Sequence, residues 1–353
     1  MNATRAYTID RFEPAGIPEA ELVELARLQQ VLAKERVPED PEISTEVLMR
    51  RARLLAAHEW RAHVRARDAQ GRLLGAAFAD HNLNEPENAH LYWAEVFVHP
   101  DHRRAGIGRA LLAGIVSACE EFGDDVLFMT SVSDRVPSGA AFLKAIGAEP
   151  GLPMKMNQLD LAGVDRAKID EWAALSPAGY RLVKVDQVVP PELIAPLLQA
   201  ANGMNDAPRG NLQMADWKLT EEHVRDREEW MAKAGVEGWL ILAIHEATGA
   251  GAGFTDVSYD PKIPHVIQQR GTAVIDGHRG HHVGLWMKAA MLQRILRERP
   301  DARFIRTGNA NVNQQMLGIN TQLGFKVAWQ SSLWQLPITT ARRAAANEVA
   351  RAG

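Results

Sequence analysis

Cysteine is almost missing: Cys119 stands alone among 353 residues. No intrachain disulfide can therefore form, and a cysteine-rich metal site is excluded. That usage suits a reducing compartment, so a cytoplasmic location is expected. Long apolar runs are missing too; none reaches the roughly eighteen residues that a membrane span needs. Met1–Phe12 lacks the basic-then-apolar order of a secretory signal. Nor is there an excess of positive charge. Lys and Arg total 40 against 44 Asp and Glu, a net charge of −4, so no basic field holds nucleic acid non-specifically. What is present is the balance of a globular protein, 46% apolar and 24% charged. The length suits two domains of about 150–180 residues.

Hydrophobic periodicity gives an alternation of strands and helices that occurs twice. In the first half, strands are expected at Tyr7–Phe12, Arg61–Arg67, Arg72–Ala79, Leu91–Val98, Val126–Thr130 and Met154–Leu159. Helices are expected at Glu19–Glu35, Thr45–Glu59, Gly108–Phe122 and Ser138–Ile146, the last stopped by Gly147. A connecting helix at Ala167–Leu175 and the breaker cluster Ser176–Gly179 lead to a strand at Tyr180–Val185. The second half continues with strands Trp239–His245 and Gly253–Ser258 and one ending near Ile275. Helix Val283–Arg299, strand Phe304–Thr307, helix Val312–Leu323 stopped by Gly324, and strand Lys326–Leu333 follow. A shift of 176 residues carries His102-Arg103 onto His278-Arg279 and Gly108 onto Gly284. Two matched turns with matched flanks point to duplication. The expected division is 1–160, a linker at 161–179, 180–340 and a tail at 341–353.

The informative stretch runs from Val96 to Leu112. A β-branched, aromatic strand enters a turn with two glycines, and an amphipathic helix starts at once. Free N–H groups at the helix start converge on one spot, where the helix dipole adds positive potential. A pyrophosphate fits such a spot, with Arg103, Arg104 and Arg109 reinforcing it. A dinucleotide fingerprint would need a glycine where Leu111 stands, and a nucleotide-hydrolase loop would need Gly-Lys-Ser/Thr. A plain glycine turn joining strand to helix is the remaining competitor.

The order Val-x-Val-x-Pro, then Arg-x-x-Gly-x-Gly, resembles the acyl-CoA loop of the GNAT superfamily of N-acyltransferases. The resemblance extends over both halves, like a tandem GNAT protein distantly similar to the mycothiol synthases, whose C-terminal half carries the transfer. It implies two α/β domains (an α+β mixed sheet flanked by helices) and acetyl-CoA as acyl donor, with no metal. It also implies acetyl transfer to a primary amine of a small molecule or peptide. Carried over residue by residue, Phe97 and Val98 would pair with pantetheine. Arg103, Arg104, Ala105, Gly106, Ile107, Gly108 and Arg109 would hold the pyrophosphate. Glu95, on the strand before the loop, would be the general base. In the second half the matching cofactor residues are Val274, Arg279, Gly280, Val283 and Gly284, with Asn313 facing the pantetheine. Asn313 has a second reading as a helix cap.

Two departures stand out. The tyrosine that GNAT proteins often place four residues before the last glycine is Leu143 in one half and Asn320 in the other. The Glu95 position becomes Gly271, and His282 stands where Gly106 stands. A protein that binds acyl-CoA without chemistry is the alternative these departures suggest. His278, His281 and His282 have metal-like spacing but lie in a turn, which disfavours zinc. The polar loop Met204–Gly210 is a candidate for an acceptor pocket or a plain connector.

Overall fold

The computed structural model describes residues 7–352, with side chains as far as 346. The chain forms two compact units, and neither is made from one half of the sequence. Unit 1 gathers the residues up to Pro153, the segment Gly210–Ala215 and the chain from Ser331 onward. Unit 2 holds Met154–Arg209 and Asp216–Gln330.

The first run of elements is β1 (Tyr7–Phe12), α1 (Glu19–Arg36), α2 (Thr45–Arg53), β2 (Glu59–Asp68), β3 (Leu73–Asn82) and β4 (Leu91–Val98). It continues with α3 (Ile107–Cys119), β5 (Leu127–Ser133), α4 (Pro137–Ala145) and β6 (Glu149–Asp160). The second run is α5 (Arg166–Ala173), β7 (Tyr180–Asp186), α6 (Pro191–Ala201), α7 (Glu221–Ala234), β8 (Glu237–His245), β9 (Gly251–Tyr259) and β10 (Val266–Val274). It closes with α8 (Val283–Glu298), β11 (Phe304–Ala310), α9 (Gln314–Gln322), β12 (Lys326–Pro337) and α10 (Ile338–Ala352). Among the described residues no helix is long and apolar enough to cross a membrane.

Unit 1 has the strand order β1-β2-β3-β4-β5-β12, and unit 2 the order β6-β11-β10-β9-β8-β7. Each is antiparallel except at one parallel pair, β4 with β5 and β10 with β11. The last strands are exchanged. Residues Ser331–Pro337 of β12 pair with β5, and Met154–Asp160 of β6 pair with β11. This corrects the division at 160 and 340, which left each half its own last strand. Both strands follow a short glycine-stopped helix and carry similar patterns, so sequence order alone does not say which sheet each joins.

Alternation along the strands decides which face is buried. In unit 1, Val64, Ala66, Ala77 and Ala79 face α3, which supplies Leu111, Ile115 and Cys119; Trp334, Leu336 and Ile338 complete that core. In unit 2, Ile241, Ala243 and Val257 meet Met287, Met291 and Ile295 of α8. The opposite face, with Leu240, Leu242 and Phe254, is covered by Ile194, Leu197 and Ala200 of α6. Helix α2 is shorter than expected. It ends at Arg53, because Leu54 is already extended (ψ 131°) and Glu59 opens β2.

Candidate functional site

In unit 1, β4 and β5 pair only over Leu91–Trp93 and Leu127–Met129. Beyond that point the strands part and leave a cavity of about 120 Å³. Its walls include Glu95, Val96 and Phe97 from β4, and Thr130, Ser131 and Val132 from β5. Leu112, Leu143, Ala148 and Gln335 close it from behind. The Gln335 amide is fixed there by the segment inserted from the second half of the chain. Gln213 N–H donates to its Oε1 at 2.6 Å, and its Nε2 donates to Asn211 O at 3.0 Å.

The glycine turn follows β4, the strand that forms one wall of this opening. Pro100–His102 form a single 3-10 turn, Arg104 and Gly106 take positive φ (68° and 80°), and Gly106 caps α3. The N–H groups of Arg109 and Ala110 both donate to Gly106 O at 3.1 Å. Helix geometry leaves the N–H groups just before them, at Ile107 and Gly108, without an intrahelical acceptor. Gly108 is also tight: a Cβ there would lie 3.2 Å from the Phe142 ring. Ile107 buries its side chain in the core, so it offers only backbone, while Arg104 and Ala105 are exposed.

The arginines have separate tasks. Arg103 Nε donates to Val98 O at 3.2 Å, and its Nη atoms grip the Glu35 carboxylate at 2.7 and 2.6 Å. Ser138 Oγ accepts at 3.1 Å. The hydrogen bond from Arg103 holds the Glu35 carboxyl below its usual range. Arg103 therefore braces the turn across α1, β4 and α4. Arg109 donates to Ala344 O and Ala145 O, each at 3.2 Å, so those two bonds tie it to the end of α4 and to α10.

The second unit repeats this construction. Arg279 Nε donates to Val274 O at 3.0 Å, and Asp206 takes the Glu35 part by pairing with Arg279. Thus the polar loop after α6 braces the second turn. Gly280 and His282 have φ of 81° and 61°, at the positions of Arg104 and Gly106. Each turn needs two left-handed residues, and each unit supplies one glycine and one other residue. His282 is accommodated as the cap of α8, with Trp286 N–H on its carbonyl at 3.0 Å. Gly284 meets Ile319 as Gly108 meets Phe142. Val283 is buried. Asn313 caps α9, its Oδ1 accepting from Met316 N–H at 3.2 Å.

Glu95 lies half-buried, and Trp93 Nε1 donates to its Oε1 at 2.9 Å. Sequence reasoning missed its surroundings. Cross-strand pairing puts Phe78 opposite Glu95 and Asp80 opposite Trp93, with Arg61 opposite Asp80 and His63 opposite Phe78. Burial pushes Asp80 up to about 7, opposed by Arg61 and assisted by Glu59 and Glu95. Burial, then Arg61, pushes His63 down to about 4. The polar side of the alternating runs at 61–65 and 76–82 was the available signal. At the matching place in unit 2 a side chain has no room: a Cβ on Gly271 would lie 2.8 Å from the Phe254 ring. Among the described residues no three His, Cys, Asp or Glu side chains are placed to share a metal. His278 instead contacts Tyr180 Oη through Nδ1 at 2.9 Å.

A parted parallel strand pair and a turn of left-handed residues opening a helix occur in both units. Residues 25–148 match the model of the Acetyltransferase (GNAT) family, and that part of the chain is a GNAT domain. The whole chain has the tandem GNAT fold. It is 25% identical to a tandem GNAT protein from the clavulanic acid biosynthesis pathway, covering 94% of this chain and 98% of that one, with a TM-score of 0.76. A GCN5-related N-acetyltransferase from Sphaerobacter thermophilus shares the fold at 14% identity, over 95% and 96% of the two chains, with a TM-score of 0.65. Curated protein sequences gave no match. The family transfers acyl groups from acyl-CoA.

Proposed function

We propose that the chain transfers an acetyl group from acetyl-CoA to a primary amine of a small molecule or peptide, with the first unit as the reacting one. The observation that carries this reading is Glu95 in the wall of the opening between β4 and β5, on the strand that leads into the turn. The turn takes the pyrophosphate through the backbone of Arg104 to Gly108, and Phe97 and Val98 present strand backbone to the pantetheine. Arg103 and Arg279 act as braces that hold the two turns ready. The amine nitrogen attacks the thioester carbonyl, Glu95 accepts the proton that the amine loses, and the thiolate departs.

Leu143 in the cavity wall offers no proton to that thiolate, so solvent supplies it. In the second unit Gly271 carries no carboxylate where Glu95 stands, and Asp256 beside it is held by Arg227, which favours the first unit for transfer to an external amine. Thiol release with acetyl-CoA and a panel of amines tests the reading. Glu95→Gln is expected to lower turnover by on the order of 10²–10⁴ while coenzyme A binding persists. Unchanged turnover in that variant removes Glu95 from the mechanism. Calorimetric titration then counts the sites: two are expected, and Arg279→Ala is expected to weaken only one.

A further inference from the structure

The apolar residues lining the cavity of the first unit include Leu112, Val132, Leu143 and Ala148. The repeat carries them onto Lys288, Asn309, Asn320 and Phe325. The shift is 176 through the helix and 177 after it. The later register is fixed by Gly147 and Gly324, both at positive φ. It is fixed again by paired bonds: Ala148 N–H to Leu143 O and Phe325 N–H to Asn320 O, at 3.0 and 2.9 Å. In unit 2, β10 and β11 pair only over Val266–Gln268 and Phe304–Arg306, so they part as β4 and β5 do. At three of these four positions the second unit therefore carries a polar side chain, Lys288, Asn309 or Asn320, where the first carries hydrocarbon.

Two of these groups are buried, and one of them has an atom left without a partner. Lys288 is 3% exposed, and its Nζ lies 5.3 Å from the centre of the Phe325 ring. Burial alone pushes it down to about 7, so a large part is free amine at neutral pH. Asn320 is 1% exposed. Its Nδ2 donates to Asn309 Oδ1 at 2.8 Å, yet its own Oδ1 is buried without a donor. A buried acceptor left open in this way is matched to an incoming N–H.

We propose that Lys288 is an internal acyl acceptor, acylated by the thioester held in the second unit, with Asn320 Oδ1 taking an amine N–H during attack. The proposal rests on the acyl-CoA reading above. The ε-amino nitrogen bonds to the thioester carbonyl carbon, the carbon–sulfur bond breaks, and the proton lost by nitrogen ends on the coenzyme A thiol. The product is an amide, which does not pass its acyl group on. The step therefore marks the second unit rather than feeding turnover, and it removes the charge that Lys288 can carry. It needs no reactant other than acyl-CoA.

The test uses the full chain incubated with acetyl-CoA, followed by peptide mapping in a mass spectrometer. Acetyl-Lys288 is expected first, ahead of the exposed Lys233 and Lys326, and chain unfolded in urea is expected to lose that order. Lys288→Arg and Lys288→Leu, the second restoring the residue of the first unit, are expected to abolish the mark while the circular dichroism spectrum is kept. Acetyl-CoA bound at two sites with Lys288 unmodified overturns the proposal and leaves the functional reading standing. No acetyl-CoA binding in calorimetry overturns both.

Discussion

A carboxyl group that folding makes harder to ionise writes itself into stability. Asp80 has its pKa raised to about 7 by burial, so between roughly pH 4 and 7 the folded chain holds a proton that the unfolded chain has released. Stability from this group is therefore fully present below about pH 4 and falls as pH rises through 7. Asp80→Asn is expected to gain on the parent as pH rises, by at most about 4 kcal/mol at pH 8, read from urea unfolding at pH 5 and pH 8. A constant difference between the two pH values counts against this placement of Asp80. Arg103 gives a second case, because its charge is already matched by Glu35. Glu35→Gln is expected to loosen the turn and weaken coenzyme A binding about tenfold, measured by calorimetry, with little change in the turnover of bound substrate. The sequence made Arg103 and Glu95 visible, because the motif places both. It could not show Glu35, Asp80 or Arg61 beside them, since those meet only when β2, β3 and α1 have packed.

At the scale of elements, the turn before each helix is the sharper test of the duplication. Both turns place left-handed residues at the same two positions, but glycine sits second in one and first in the other. A motif search looks for Gly-x-Gly and so scores the second turn as damaged. Its backbone is nevertheless the same, because a histidine at φ 61° does what Gly106 does. His282→Gly is expected to stabilise the chain by about 0.5–1 kcal/mol, and Gly106→Ala to cost about 1 kcal/mol or more, both read from denaturation midpoints. Helix and strand periodicity located most elements because each has one clearly apolar side. The end of α2 was harder, since Ala56 to His58 neither continue the helical stripe nor break it with glycine or proline.

On the scale of the molecule, the exchange of β6 and β12 was the least legible feature. It follows from pairing between residues some two hundred positions apart, such as Trp334 with Thr130. Ending the chain after Gln330 removes Trp334, Leu336 and Ile338 from the core of the first unit. Such a truncation is expected to unfold that unit, seen as rapid proteolysis within residues 7–153 while Met154–Arg209 and Asp216–Gln330 resist. Protection of residues 7–153 in the truncated chain would mean that the exchanged strand contributes little.

The same exchange sets a timetable for biosynthesis. The sheet begun first by the ribosome is finished last, since its closing strand is made only after the strands of the second unit. Until then β5 is an open edge of the sort on which nascent chains aggregate. Cells making this protein must therefore shelter the open edge at β5 until β12 has been made.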